Sequence, residues 1–457
     1  MITPGRAKEE FNVKALTSPT MSEFVARCGR VYAGTPDWLD EEDGIKTVNF
    51  AKTICSEIAK LTMMGTKIQT DGSARAAWLQ EQTDAVYDSL RQWVEYGCGY
   101  GTIILKPNGS GIDFLPPGRF IITEADNGKI RGIVFFDQRP DLSGEKWFKR
   151  YEYHRFENGK YIISNKCYIG DTPTDKGKPV DIDKTPWADL AEEVIAEGVD
   201  DMLFGVFRTP TANNIDVGSV MGMPIFAEAL EELEDLDVAY SRNAKEIRDS
   251  KRTILMDSDR LLPNGTKVAA GNAKNALRRG SPLPDYVKIV EGDGSATSDV
   301  YHEINPTLET DKRLTGINAL LSQIGFKCGF SNGYFVFNEK TGMITATQVE
   351  SDDRRTIQLI NDVRNSLETC LNGLLYALDK FADAYELAPR GVYETVYDFE
   401  DITYSFEEDK ARWYSYVTAG RVPFWYYLMK FEGFAEEEAK ELEAAAAQKD
   451  VLFGDEE

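Results

Sequence analysis

The sequence predicts an α+β chain built from several subdomains, and three observations carry that reading. Two early segments, residues 46–64 and 76–95, place apolar residues at helical three-and-four spacing. A run of short β-rich segments broken by turn dipeptides follows them. In the second half, two more helical segments flank a β-rich insertion at residues 251–306. A chain of 457 residues also exceeds what one ordinary core holds.

Residues 1–40 are mixed and mostly polar, with helical potential around Ser22–Tyr32. In 46–64, Val48, Ala51, Ile54, Ile58 and Leu61 form one stripe, and Gly65 supplies a stop. Ala76–Glu95 repeats the pattern with Leu79, Val86, Leu90, Trp93 and Val94. From Gly97 the chain reads as a meander. Its strands Thr102–Lys106, Phe120–Thr123 and Gly132–Phe136 are separated by Asn108-Gly109, Pro116-Pro117-Gly118 and Asn127-Gly128. Strands continue through Trp147–Arg155 and Lys160–Ile163, and a short helix is expected at Trp187–Glu197 within an otherwise irregular 165–222.

The second half changes character. Pro224–Ser250 reads as a helix, with Leu230, Leu233, Leu236, Tyr240, Ala244 and Ile247 on one face. Its first part carries six acids and no base, and its end carries Arg242, Lys245, Arg248, Lys251 and Arg252. This order suits the helix dipole, and equally suits a plain solvated face. The insertion contains the β-prone runs TILMD, TKVAA and YVKIVE. Between Lys245 and Lys288 there are ten Lys and Arg against five Asp and Glu, the one sizeable stretch with a positive balance. A helix is expected near Thr307–Ile324, then a glycine- and aromatic-rich stretch, Gly325–Gly342. From Thr345 to Ala384 a long helix carries Ile357, Ile360, Val363, Leu367, Leu371, Leu374, Leu378 and Phe381 at regular spacing. It is either a strut between parts of an assembly or one long core helix. Residues 392–406 alternate like a strand, and Glu407–Asp450 is helical, divided at Gly420, Pro423 and Gly433.

Composition narrows the function classes. The net charge of −24 excludes a uniformly basic nucleic-acid binder. Six cysteines with no CxxC pair point to reduced, mostly buried thiols in a cytoplasm. No apolar run is long enough to span a bilayer, and Met1-Ile-Thr-Pro-Gly-Arg lacks a signal-peptide core, so a soluble protein is expected. His154 and His302 are the only histidines, which restricts imidazole catalysis. Gly97-Cys-Gly-Tyr-Gly101 fails as a phosphate loop because it follows a helix and enters a strand. Gly170…Gly177-Lys178 fails as a Walker loop: the glycine spacing is too long and Pro179 replaces the magnesium-binding hydroxyl. Acidic clusters at Asp352-Asp353, Asp398…Glu400-Asp401 and Glu407-Glu408-Asp409 read either as metal-binding acids or as solvated surface. The Gly325–Gly342 stretch reads either as a mobile functional loop or as a hairpin that buries its aromatics.

The segment Gly329-Phe-Ser-Asn-Gly-Tyr-Phe-Val-Phe-Asn-Glu-Lys-Thr-Gly-Met-Ile-Thr-Ala-Thr-Gln-Val-Glu-Ser351 resembles portal proteins of tailed bacteriophages, and more closely those of long-tailed phages of Gram-positive hosts. There a phenylalanine-containing loop ending in Gly, then Thr-Ala-Thr-Glu-Val, leads into a long helix; here Gln348 stands for the Glu. Asn49-Phe-Ala-Lys, the Tyr96–Asp137 meander and Leu230–Asp257 agree with the family in order, so the resemblance covers about residues 45–450.

The resemblance implies a portal-type fold with an α/β wing, a two-helix stem, a β-rich clip, a long kinked helix and a helical crown. Residues 1–222 would be the wing, 223–250 and 307–324 the stem helices, and 251–306 the clip. Residues 325–342 would be the channel loop, 343–406 the long helix and a return strand of the wing, and 407–457 the crown. It further implies a ring, usually of twelve copies, at one capsid vertex of a virion assembled in a bacterial cytoplasm. Double-stranded DNA would pass through it. Its partners would be the major capsid protein and scaffold, the terminase large subunit and a head–tail adaptor, with no membrane, catalytic residue, metal or cofactor. In the channel loop, Asn332, Tyr334, Phe335, Phe337, Asn338 and Lys340 would face DNA or neighbouring subunits. Lys312, Arg313 and Lys327 would be channel cations, and Arg260, Lys267, Lys274, Arg278, Arg279 and Lys288 would present the clip to partners. Twelve chains at −24 carry about −288, which favours sliding of DNA over gripping. Two other classes stay open. A metal-dependent nuclease using the acidic clusters would lose magnesium-dependent cleavage on changing Asp398 and Asp401. A coiled-coil scaffold on the long helix would form a parallel dimer or trimer.

Overall fold

The computed structural model describes residues 2–109, 111–141, 144–250, 253–257, 287–290, 301–304, 309–336, 346–399, 406–418, 421–432, 434–435 and 437–443. The chain divides into two compact units. The first is Met1–Thr62 with Thr70–Thr395, and the second is Met63–Gln69 with Val396–Glu457.

The first unit opens with helices α1 (Pro4–Phe11), α2 (Pro19–Tyr32) and α3 (Phe50–Met63). Thr3 and Ser18 cap the first two through their hydroxyls, and proline takes the first position of each. Strand β1 (Lys67–Asp71), of which Lys67–Gln69 belong to the second unit, precedes α4 (Ala74–Tyr100), capped by Ser73. Strand β2 (Thr102–Pro107) then lies between β3 (Ile112–Leu115) and β10 (Gly205–Arg208) in an antiparallel sheet. A larger antiparallel sheet runs β4 (Phe120–Asp126), β5 (Lys129–Pro140), β6 (Trp147–Glu157), β7 (Lys160–Gly170), β8 (Lys178–Val180), with β9 (Glu193–Ala196) also on β7. Asn127-Gly128 closes β4–β5 and Asn158-Gly159 closes β6–β7. All four residues have φ between +48° and +76°, as two-residue turns matched to strand twist require.

The main core lies between these sheets and includes Ile104, Phe120, Ile133, Phe135, Tyr161, Phe204 and Met223. Helix α1 covers the opposite face of the large sheet, where Ile2 and Ala7 join Val134, Phe136, Tyr151 and Tyr168. After a 3-10 turn at Ala227–Ala229 comes α5 (Leu230–Asp249). The insertion holds β11 (Thr253–Asp257) between parallel β12 (Val287–Val290) and antiparallel β13 (Tyr301–Ile304). Helix α6 (Thr310–Lys327) and the long α7 (Ala346–Ala384) follow. Its 39 residues extend about 58 Å. The expected stripe is the buried face: Ile360, Val363, Leu367, Leu371, Leu374 and Leu378. That face lies on β10. A Cβ at Gly205 would stand 2.1 Å from the Cys370 carbonyl oxygen, and one at Gly373 would stand 3.2 Å from Gly205 Cα.

Several expectations are corrected. Helix α4 continues through Gly97 and Gly99 to Tyr100 instead of ending at Glu95. Cβ atoms there would enter the rings of Phe207 and Tyr32, so these glycines serve helix packing. Residues 193–196 of the expected 187–197 helix are strand β9, because β7 offers an edge and Asn165 N–H donates to the Glu192 carbonyl. Helix α5 starts at Leu230, not Pro224, since Ile225 N–H is taken by the Cys98 carbonyl. Gly325–Lys327 belongs to α6, and the following loop begins at Cys328. In 392–406 the described residues hold strand β14 at Glu394–Asp398, residues 400–405 lie outside the described residues, and the next helix starts at Phe406. The TKVAA run lies outside the described residues.

The second unit contains α8 (Phe406–Thr418) and α9 (Phe424–Phe431), broken near Pro423 as expected. Trp413 stacks on Tyr426 at 5.5 Å and meets Phe431, while Lys410 pairs with Glu432 at 2.8 Å. The chain is mixed α+β, as the sequence predicts. Among the described residues no helix is long and apolar enough to cross a membrane. All six cysteines are free and buried.

Two substitutions test the helix–strand contact by chemical denaturation. Gly205→Ala forces α7 off β10 and is expected to cost about 3 kcal/mol. Gly5→Ala, with nothing within 4 Å of its Cβ position, is expected to leave stability within about 0.5 kcal/mol.

Candidate functional site

Helices α5 and α6 form an antiparallel hairpin fixed at both ends by ion pairs. Lys327 at the end of α6 meets Glu232 at the start of α5, with Nζ–Oε1 of 2.6 Å, and Arg313 at the start of α6 pairs with Glu246 near the end of α5. Leu233, Leu236, Ile317, Leu321 and Ile324 make the buried seam. Farther along, Tyr240 and Ile247, seven residues apart on one face of α5, stand about half exposed (49% and 50%). Near its base, buried Asp237 accepts from Trp38 Nε1–H at 2.9 Å and Val48 N–H at 2.8 Å. Ser241 accepts from Lys46 N–H and donates to the Lys46 carbonyl.

The loop after α6 is tied down residue by residue. Gly329 has φ +92° against Leu359. Phe330 is fully buried and packs on Phe335 at 4.7 Å, and Phe335 in turn packs edge-on to Phe50 of α3 at 5.1 Å. Ser331 N–H donates to Thr356 Oγ1 of α7 at 2.9 Å, and Asn332 Oδ1 bonds Ser322 of α6. Tyr334 donates to Glu57 Oε1 of α3 at 2.9 Å. Over residues 328–336, therefore, the loop is anchored to three helices. Arg364 of α7 also holds the last turn of α3, donating to the Thr62 carbonyl.

Of the loop residues expected to line a channel, Asn332, Tyr334 and Phe335 come together here; Phe337, Asn338 and Lys340 lie outside the described residues. Lys312, Arg313 and Lys327 share one hairpin, but each is matched by a carboxylate of it: Glu309 at 2.9 Å, Glu246, and Glu232. Arg260, Lys267, Lys274, Arg278 and Arg279 lie outside the described residues, and Lys288 is placed only as a position on β12. Sequence reasoning missed Asp237, Glu57, Ser331 and Thr356. Each acts on a segment distant in the chain, so its partner is not visible in the sequence.

The rejected motifs are accounted for physically. The space beside Gly170 is filled by the Asp175 carboxylate, which pairs with Lys149, so an acid occupies what would be a phosphate cradle. His154 is a core group with no nucleophile beside it. Its Nε2 meets Glu152 at 2.7 Å and its Nδ1 meets Tyr161 Oη at 2.7 Å. Burial pushes this imidazole below its usual 6.5, with Glu152 pulling the other way. Burial alone would raise the Glu152 carboxyl, but Lys106, Arg150 and His154 hold it well below the carboxylate range. Of the acidic clusters, Asp352 and Asp353 fall on α7 and Glu407–Asp409 on α8, while Glu400 and Asp401 lie outside the described residues. Among the described residues no group of three His, Cys, Asp or Glu stands where it could hold a metal ion.

No known family model matches the chain, and no curated protein is significantly similar to it.

Phe330→Ala is expected to cost about 3–5 kcal/mol in denaturant unfolding, and Tyr334→Phe under about 1 kcal/mol. Lowering the pH from about 7.5 to 5.5 is expected to destabilise the first unit through His154. The unfolded imidazole takes a proton near its usual 6.5 while the buried one resists it, so this contribution is present above 6.5 and lost below. Denaturation of His154→Gln at both pH values should show a smaller pH difference.

Proposed function

We propose that the chain is the ring-forming subunit of a DNA conduit. More particularly, we propose that it acts as a phage portal protein at one capsid vertex. The observation that carries this is the hairpin. Helices α5 and α6 flank a small β module, and the hairpin's outer part leaves Tyr240 and Ile247 half exposed. A helix face that stays apolar in water needs a partner. Copies of the same hairpin side by side around an axis would supply one, at the surface that a stem requires.

The loop and the long helix support the same reading. The segment that resembles portals leads in sequence into α7, and its described residues 329–336 are held by α3, α6 and α7. The three hairpin cations are neutralised within the hairpin, which suits a passage that DNA slides through with little phosphate contact. Docking of the packaging motor and then of an adaptor would fall to the β module. No specific observation favours the nuclease or the scaffold.

Negative-stain electron microscopy with a solution mass tests the proposal. Rings with a central hole and a mass near twelve times 51.3 kDa are expected. A compact dimer that cleaves DNA in magnesium would sink it. Within the ring, Ile247→Asp is expected to block assembly while leaving monomer stability within about 0.5 kcal/mol.

A further inference from the structure

We propose that helix α7 has two N-terminal boundaries, Ala346 and Arg354, and that Ser331 holds the second in place when the first turns unwind. The observation that carries this is a reciprocal pair of bonds well inside the helix. Thr356 N–H donates to Ser331 Oγ at 3.3 Å, and Ser331 N–H donates to Thr356 Oγ1 at 2.9 Å. The Thr356 hydroxyl also donates to Ser331 Oγ, at 3.0 Å. Ser331 and Thr356 are both buried, at 5% and 3% exposed.

This is the bonding of a box that starts a helix. In such a box the capping hydroxyl accepts from the third helical N–H, and the third side chain accepts from the capping N–H. Here Ser331 takes the capping role and Thr356 the third position, although the helix already begins at Ala346. Regular helix geometry also offers Thr356 N–H the carbonyl four residues back. That N–H therefore keeps an acceptor whether the preceding turns are wound or unwound. A helix starting at Arg354 leaves the first N–H groups, up to Thr356, without helical partners. Arg354 and Arg355 are exposed, so water serves them, while Thr356 is enclosed and has Ser331. Arg355 marks the same boundary. Its guanidinium stands 3.8 Å from the centroid of the Phe326 ring, and its Nη2 donates to the Phe326 carbonyl at 2.8 Å. The end of α6 and the loop after it thus grip α7 at two successive residues.

The sequence ahead of that grip is a poor helix former. Residues 346–353 read Ala-Thr-Gln-Val-Glu-Ser-Asp-Asp, in which Thr347, Val349, Ser351, Asp352 and Asp353 all have low helix propensity. Asp353, by contrast, belongs to the best capping types and falls at the capping position of a helix that starts at Arg354. An acid at that end also suits the helix dipole. Unwinding 346–353 lets out about 14 Å of chain, from about 1.5 Å per residue when helical to about 3.3 Å when extended. The buried stripe from Ile360 onward stays seated. The inference stands apart from the portal reading, because it concerns one helix within one chain.

Hydrogen–deuterium exchange on the full chain, read from peptides of α7, tests it. The wild type is expected to show a step at Thr356, with 347–353 exchanging at least about tenfold faster than 357–362. Ser331→Ala should move the step inward, so that 356–360 exchange about fivefold faster, as loss of a cap implies. Asn332→Ala removes the neighbouring loop bond to Ser322 and should leave the step at Thr356. Equal protection on both sides of Thr356 in the wild type overturns the proposal. So does an unmoved step in Ser331→Ala. An equal shift in Asn332→Ala marks general loosening of the loop and overturns it too.

Discussion

The backbone of the long helix rests directly on the backbone of strand β10, and the packing of the first unit follows from that contact. Gly205 and Gly373 remove the side chains that would otherwise hold the two apart. With the helix seated so closely, its stripe from Ile360 to Leu378 is buried. Buried arginines then fix the helix along its axis. Arg75, 1% exposed, donates to the Asp379 and Asp383 carboxylates and to the carbonyls of Ala388 and Pro389, so its buried charge is fully matched. Arg364 performs the same service toward α3. The helix is thereby both a core element and a rod that other segments are referred to.

Charge is organised by the same economy. A chain at −24 has acids to spare, and the enclosed Arg75 and Lys149 each meet carboxylates. In the α5–α6 hairpin the acid-rich start of one helix takes the lysine at the end of the other, which also suits both helix dipoles.

Local signals were legible in the sequence, and distant partners were not. Asn127-Gly128 announced its hairpin because φ above zero at both positions is a local demand. The stripe of α7 was equally plain, because its period repeats along one helix. Gly97 and Gly99 misled because their reason lies in Phe207 and Tyr32, far along the chain. Residues 193–196 carry no strong preference and took the conformation that the edge of β7 offered. The candidate site was half visible. The aromatics at 330–335 stood out by composition, but their anchors, Phe50, Glu57 and Thr356, are unremarkable residues until the chain folds. The cations of α6 were seen, while the carboxylates that neutralise them belong to a pairing of helices that no spacing in the sequence specifies.

The six enclosed cysteines have a practical corollary for anyone handling the molecule. Burial pushes the Cys28, Cys98 and Cys328 thiols up to about 12 and raises Cys55, Cys167 and Cys370 as well, so near neutrality almost none is a thiolate. Alkylating reagents attack the thiolate, so the folded chain is a silent background for them. One cysteine placed on the surface would then take a fluorophore or spin label alone, without first removing the natural six.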